Sequence, residues 1–79
     1  MKDQEILERI QKVYNNVTGR TDVILKPGTR IKRTEEIGSL VLVELIACLE
    51  DEFNMELRYS TVRSLKNVRG LMNFIRENT

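Results

Sequence analysis

The chain contains no histidine, no tryptophan, one cysteine (Cys48) and one proline (Pro27). Each absence closes off a class of chemistry. Without histidine there is no His/Cys metal site and no Ser-His or Cys-His nucleophilic pair. A single cysteine forms no intramolecular disulfide, and a reducing, cytoplasmic compartment suits it best. Long apolar runs are missing too. The densest stretch, Leu40 to Leu49, is ten residues long and carries Glu44, whereas a spanning helix needs about 20 apolar residues. The opening MKDQEILERI intersperses charge with apolar residues, so neither a signal peptide nor membrane insertion is expected. At 79 residues the chain reads as one domain, 1–79, too small to enclose catalytic groups from several separate elements. No enzyme activity and no metal are expected.

What is present is apolar enough to fold and too charged for a membrane, at 41% hydrophobic and 32% charged residues. The net charge of +1 hides an uneven distribution. Residues 1–34 hold eight basic and four acidic side chains, residues 35–56 hold seven acidic and no basic ones, and residues 57–79 hold five basic and one acidic. An acidic block between basic flanks points to a recognition surface in the middle of the chain.

Apolar spacing predicts helices. Ile6, Ile10, Val13 and Val17 mark one over 3–17, with Asp3 as a candidate cap and Gly19 as its stop. Residues 18–38 hold Pro27 and three of the four glycines and read as a long ordered loop, of the kind that is usually functional. A second helix is predicted over 39–53 with Ser39 at its start. A short one follows around 60–65, with Ser60 as its cap. A last helix, 68–77, is capped by Asn67 and buries Val68, Leu71, Met72 and Ile75. Nothing argues for a sheet. The expected fold is all-α, a small bundle of three main helices plus one short helix.

The second helix has more apolar surface than folding needs. Stepping 100° per residue from Ser39, Leu42, Ile46, Leu49 and Phe53 gather near about 310°, with Leu45 beside them. That stripe is a complete core face. Leu40, Val43 and Ala47 fall on another face, between about 40° and 100°, and Glu44, Glu50 and Asp51 surround them. An apolar strip rimmed by carboxylates is surplus to packing a helix into a small core. Cys48 falls between the faces and reads as a small, partly exposed residue. Arg58, Arg63, Lys66, Arg69 and Arg76 make the C-terminal part basic. They are spread round two short helices beside an acidic centre that would repel phosphate, so nucleic acid is not an expected partner.

The stretch GSLVLVELIACLEDEF resembles the modification site and recognition helix of the acyl carrier protein family. The family pattern is Asp-Ser-Leu followed by a helix of the type x-x-V-E-L-x-x-x-L-E-x-E-F. Here the matching residues are Ser39-Leu40, Val43-Glu44-Leu45, and Leu49 to Phe53. The upstream LKPGTRIKRTEEIGSL and the downstream MELRYSTVRSLKNVRGLMNFI also resemble the family, so the likeness spans nearly the whole chain.

The resemblance implies that Ser39 carries 4′-phosphopantetheine, taken from coenzyme A by a phosphopantetheinyl transferase, and that the arm's thiol holds an acyl group. It implies that Leu40, Val43, Glu44, Ala47, Glu50 and Asp51 face the transferase and the acyl-transferring or synthase enzymes of the pathway. It implies that Leu42, Ile46, Leu57, Val62 and Leu65 surround an acyl-chain pocket, although ordinary core accounts for these five equally well. A monomer is expected. Three departures stand out: Gly38 replaces the family's Asp, Glu35-Glu36 replace its Leu-Gly, and the flanks are basic where the family is acidic. They point to a specialised fatty-acid, polyketide or related pathway. They also keep open an alternative, a carrier-like interaction domain whose serine is never modified.

Overall fold

The computed structural model describes residues 1–31 and 39–79. They form four helices in the order α1 (Asp3–Thr18), α2 (Ser39–Phe53), α3 (Tyr59–Ser64) and α4 (Val68–Asn78). The all-helical bundle with one short member agrees with the expected architecture. Among the described residues the only extended pairing is an isolated antiparallel bridge between Arg30 and Asn67. No described helix is long and apolar enough to cross a membrane.

The core is where the helical spacing puts it. Ile6, Ile10, Val13 and Tyr14 of α1, Leu42, Ile46, Leu49 and Phe53 of α2, and Val68, Leu71, Met72 and Ile75 of α4 are all buried. Leu25 from the loop, Leu57, and Val62 of α3 complete the cluster. Ile6 and Ile75 are fully buried where α1 meets α4. Arg76 pairs with Asp3 at 2.5 Å across the same two helices.

The helix ends show how local chemistry sets the boundaries. Gly19 closes α1 in the left-handed region at φ 72°, and its N–H donates to the Asn15 carbonyl at 2.9 Å. The N-cap of α1 is Lys2, with no side-chain cap. Asp3 is therefore the first helical residue and not the cap; its carboxylate is committed to Arg76. The short helix likewise starts at Tyr59 behind Arg58, with no side-chain cap, so Ser60 lies inside it. Asn67 does cap α4, its side-chain oxygen accepting from the Gly70 N–H at 3.0 Å.

Two tethers hold the described part of the loop. From α1, the Gln11 side chain donates to the Val23 carbonyl at 2.9 Å and accepts from the Leu25 N–H at 2.6 Å, which fixes Leu25 in the core. At the other end, a turn with Pro27 closes between Lys26 and Thr29, where the Thr29 N–H donates to the Lys26 carbonyl at 2.9 Å. The Pro27 and Thr29 carbonyls then accept from the Arg69 and Val68 N–H groups, both at 2.8 Å, and the Ile31 N–H donates to the Lys66 carbonyl at 3.1 Å. The Gly70 N–H goes to Asn67, and the Leu71 N–H reaches the Asn67 carbonyl at 3.4 Å. The Val68, Arg69 and Gly70 N–H groups of the first turn of α4 are thus satisfied, two of them by the loop, and the Leu71 N–H begins the intrahelical ladder.

Replacing Asn67 with Ala removes the side-chain acceptor for Gly70 and is expected to cost about 1 kcal/mol, against only a few tenths for Asn67→Gly. Urea unfolding of the two variants checks this difference.

Candidate functional site

The site is built on α2. Its C-terminal end is fastened from two directions. Asn54 follows the helix in the left-handed region at φ 50°. The Met55 N–H reaches back to the Glu50 carbonyl at 3.2 Å, the six-to-one bond of a Schellman turn. The last turn of α2 contains no basic residue, and Arg9 of α1 supplies one. Its Nε donates to Glu52 Oε2 at 2.7 Å, a second nitrogen donates to the Glu52 carbonyl, and the guanidinium lies 4.6 Å from the centre of the Phe53 ring. A cation is thereby placed on the negative end of the helix dipole.

The helix begins at Ser39. Gly38 and the Glu35-Glu36 pair lie outside the described residues. No acidic side chain occupies the first turn of α2, so nothing there opposes a phosphate at the positive end of the helix dipole.

Beyond Ser39 the helix divides into two faces. Leu42, Ile46, Leu49 and Phe53 are buried, whereas Leu40 is 86% exposed and Val43 is 53% exposed. Ala47, Glu44 and Asp51 are exposed as well. Glu50 departs from this group. It is half-buried, and its carboxylate accepts from the Leu57 N–H at 2.8 Å. Glu50 therefore organises the turn after α2 with both its backbone and its side chain. Helical spacing alone gives no sign of this, because the partner lies beyond the helix.

Beneath α2 lies an apolar cavity of about 60 Å³, walled by Ile10, Tyr14, Leu42, Ile46, Leu49 and Val62, with Thr29, Arg30 and Ile31 closing one side. Of the five residues placed around a pocket by sequence resemblance, Leu42, Ile46 and Val62 line it. Leu57 is buried elsewhere in the core, and Leu65 is half-buried. Leu65 instead lines an open groove of about 690 Å³ together with Gly28, Arg30, Ile31, Arg63 and Lys66. Cys48 is half-buried.

No family model matches the chain. Among curated proteins it is similar to a protein named acyl carrier protein from Thermobifida fusca. The two are 24% identical over 75 residues, covering 95% of each chain.

Glu50→Ala strands the Leu57 N–H and is expected to cost about 1–2 kcal/mol. Glu44→Ala and Asp51→Ala should stay within about 0.5 kcal/mol of wild type. Thermal unfolding of the three variants separates the carboxylate that builds the fold from the two that do not.

Proposed function

We propose that the protein is a carrier and not an enzyme, a single domain that bears 4′-phosphopantetheine on Ser39 and presents an acyl group to pathway enzymes. The observation that carries this reading is the position of Ser39: it opens a helix whose exposed apolar strip serves no core. The near full-length similarity to a protein named acyl carrier protein supports it. Ser39 fits the group, since it stands at the start of a 15-residue helix with no carboxylate in the first turn. Once bound, the arm supplies a thiol that holds an acyl group as a thioester, so no side chain of the chain itself need react with the cargo.

In the attachment step the Ser39 hydroxyl oxygen forms a phosphodiester with the pantetheine phosphate of coenzyme A. The diphosphate bond breaks, adenosine 3′,5′-bisphosphate leaves, and the hydroxyl proton passes to the transferase. Leu40, Val43 and Ala47 supply the apolar contact for the transferase and later partners, while Glu44 and Asp51 steer a basic surface toward it. Glu50 contributes by holding the end of that helix. The acidic block and the absence of a long apolar span suit a cytoplasmic protein that works as a monomer. A specialised fatty-acid, polyketide or related pathway fits the basic flanks. A second reading, an interaction domain that is never modified, draws on Gly38 standing where the family has Asp.

Intact mass decides between the two. Incubation with coenzyme A and a broad-specificity transferase should add one phosphopantetheine to wild type and none to Ser39→Ala. An unmodified wild type with several transferases, or a modified Ser39→Ala, overturns the carrier reading.

Reversing Glu44 and Asp51 to Lys should slow association with the transferase and flatten its salt dependence without unfolding the protein. Val43→Ala should instead speed dissociation, through the loss of about 1–2 kcal/mol of apolar contact. Transferase kinetics across a salt series, with circular dichroism as the folding control, measure both effects.

A further inference from the structure

We propose that the groove between the 28–31 and 63–67 segments is a second docking face, opposite in charge to that of α2, and that it takes an acidic segment of a partner protein with an apolar side chain among its carboxylates. No group on Ser39 is needed for it. The chain has no acidic residue between Asp22 and Glu35 and none between Glu56 and Glu77. The fold fastens these two stretches to each other. The Ile31 N–H donates to the Lys66 carbonyl, and the Val68 and Arg69 N–H groups donate to the Thr29 and Pro27 carbonyls. That junction gathers Lys26, Arg30, Arg63, Lys66 and Arg69, all of them exposed. The ion pairs among the described residues engage Arg9, Arg20, Arg58 and Arg76 and none of these five. Arg63 lies 5.8 Å from the Tyr59 ring centre, a contact that orients it without neutralising it. Like charges collected at one place repel one another, and an acidic partner relieves that repulsion when it binds.

Shape selects among acidic partners. The groove, about 690 Å³, is lined by Arg30, Arg63 and Lys66 together with Ile31 and Leu65, and none of its described lining residues is acidic. Ile31 and Leu65 are half-buried, so the apolar surface is recessed. Such a groove receives what protrudes from a partner: carboxylates on the planar guanidinium forks, and an apolar side chain on Ile31 and Leu65. A lipid surface asks for the reverse, apolar side chains that project among the cations. The exposed large hydrophobic residues are Met1, Ile24, Leu40 and Val43, and none of them lines the groove. Single-stranded nucleic acid stacks its bases on aromatic rings, and no aromatic side chain lines it either.

The two faces sort partners by charge. The exposed residues of the α2 face, Leu40, Val43, Glu44, Ala47 and Asp51, do not line the groove. A basic surface is drawn to α2 and repelled by the groove, and an acidic one behaves in the opposite way.

The test titrates the ¹⁵N-labelled apo protein with the synthetic peptide Glu-Leu-Glu-Glu-Leu-Glu. Amide shifts should move at Gly28, Arg30, Ile31, Leu65, Lys66 and Asn67 and stay still from Val43 to Asp51. A peptide with Gln for each Glu should not bind, and one with Gly for each Leu should bind about tenfold more weakly. An Arg30→Gln/Arg63→Gln double variant should lose about tenfold in affinity, and Lys66→Gln alone about threefold. Lys12→Gln, which removes an exposed cation of α1, should lose nothing. The unbound spectrum of each variant reports folding, and the single variant carries the test if the double one unfolds. Equal binding of the Gln peptide, shifts spread over other surfaces, or equal losses from Lys12→Gln and Lys66→Gln overturn the docking face. Tighter groove-dependent binding to phosphatidylglycerol vesicles or to a DNA duplex overturns the choice of a protein partner. Groove shifts that grow with protein concentration, with no peptide present, make a second copy the occupant and overturn it as well. None of these readouts involves Ser39, so their failure leaves the carrier reading to its own mass measurement.

Discussion

The arrangement depends on how the start of α4 satisfies its backbone donors. A helix leaves four N–H groups without partners, and burying them unpaired is costly. Here Pro27 and Thr29 accept from two of them, Arg69 and Val68, and Asn67 accepts from a third, Gly70. Through that pairing a segment with little apolar content is held against the last helix. It places Ile31 and Arg30 on the cavity wall, and it brings Arg30 to the groove that Arg63 and Lys66 line. The clasp adds to the hold that Gln11 and the burial of Leu25 already have on the described loop.

The two ends of α2 are under different control. The C-terminal end is tied down by Arg9 from α1 and by the Schellman turn at Glu50, Asn54 and Met55. Its N-terminal half carries its most exposed apolar residue, Leu40, one position after Ser39. A helix anchored at its far end and uncovered near its start presents a rigid edge to a partner without needing an element of its own to brace that edge.

The helices α1, α2 and α4 were legible in the sequence because their apolar residues recur at helical spacing, and four buried positions in each define a face. Gly19 and Asn67 were legible as stop and cap, since their conformational preferences are local. Asp3 and Ser60 were misplaced by the same local reasoning: Asp3 is drawn into a pair with Arg76 on a helix at the other end of the chain, and α3 begins one residue before Ser60. The roles of Gln11 and Glu50 were hidden because each bonds backbone outside its own helix. The clasp was hidden for a stronger reason, as backbone-to-backbone bonds carry no side-chain signature. The groove was hidden because Arg30 joins Arg63 and Lys66 only after folding; along the sequence these cations look scattered.

The short third helix differs from the others in how it is held. With six residues and one buried side chain, Val62, it is below the length at which a helix stands alone. Val62 is also a wall of the apolar cavity. The helix's other core contacts, Tyr59 and Leu65, are only partly buried, whereas α1 and α4 each bury four side chains. Of the four helices, α3 is therefore the one that burial holds least.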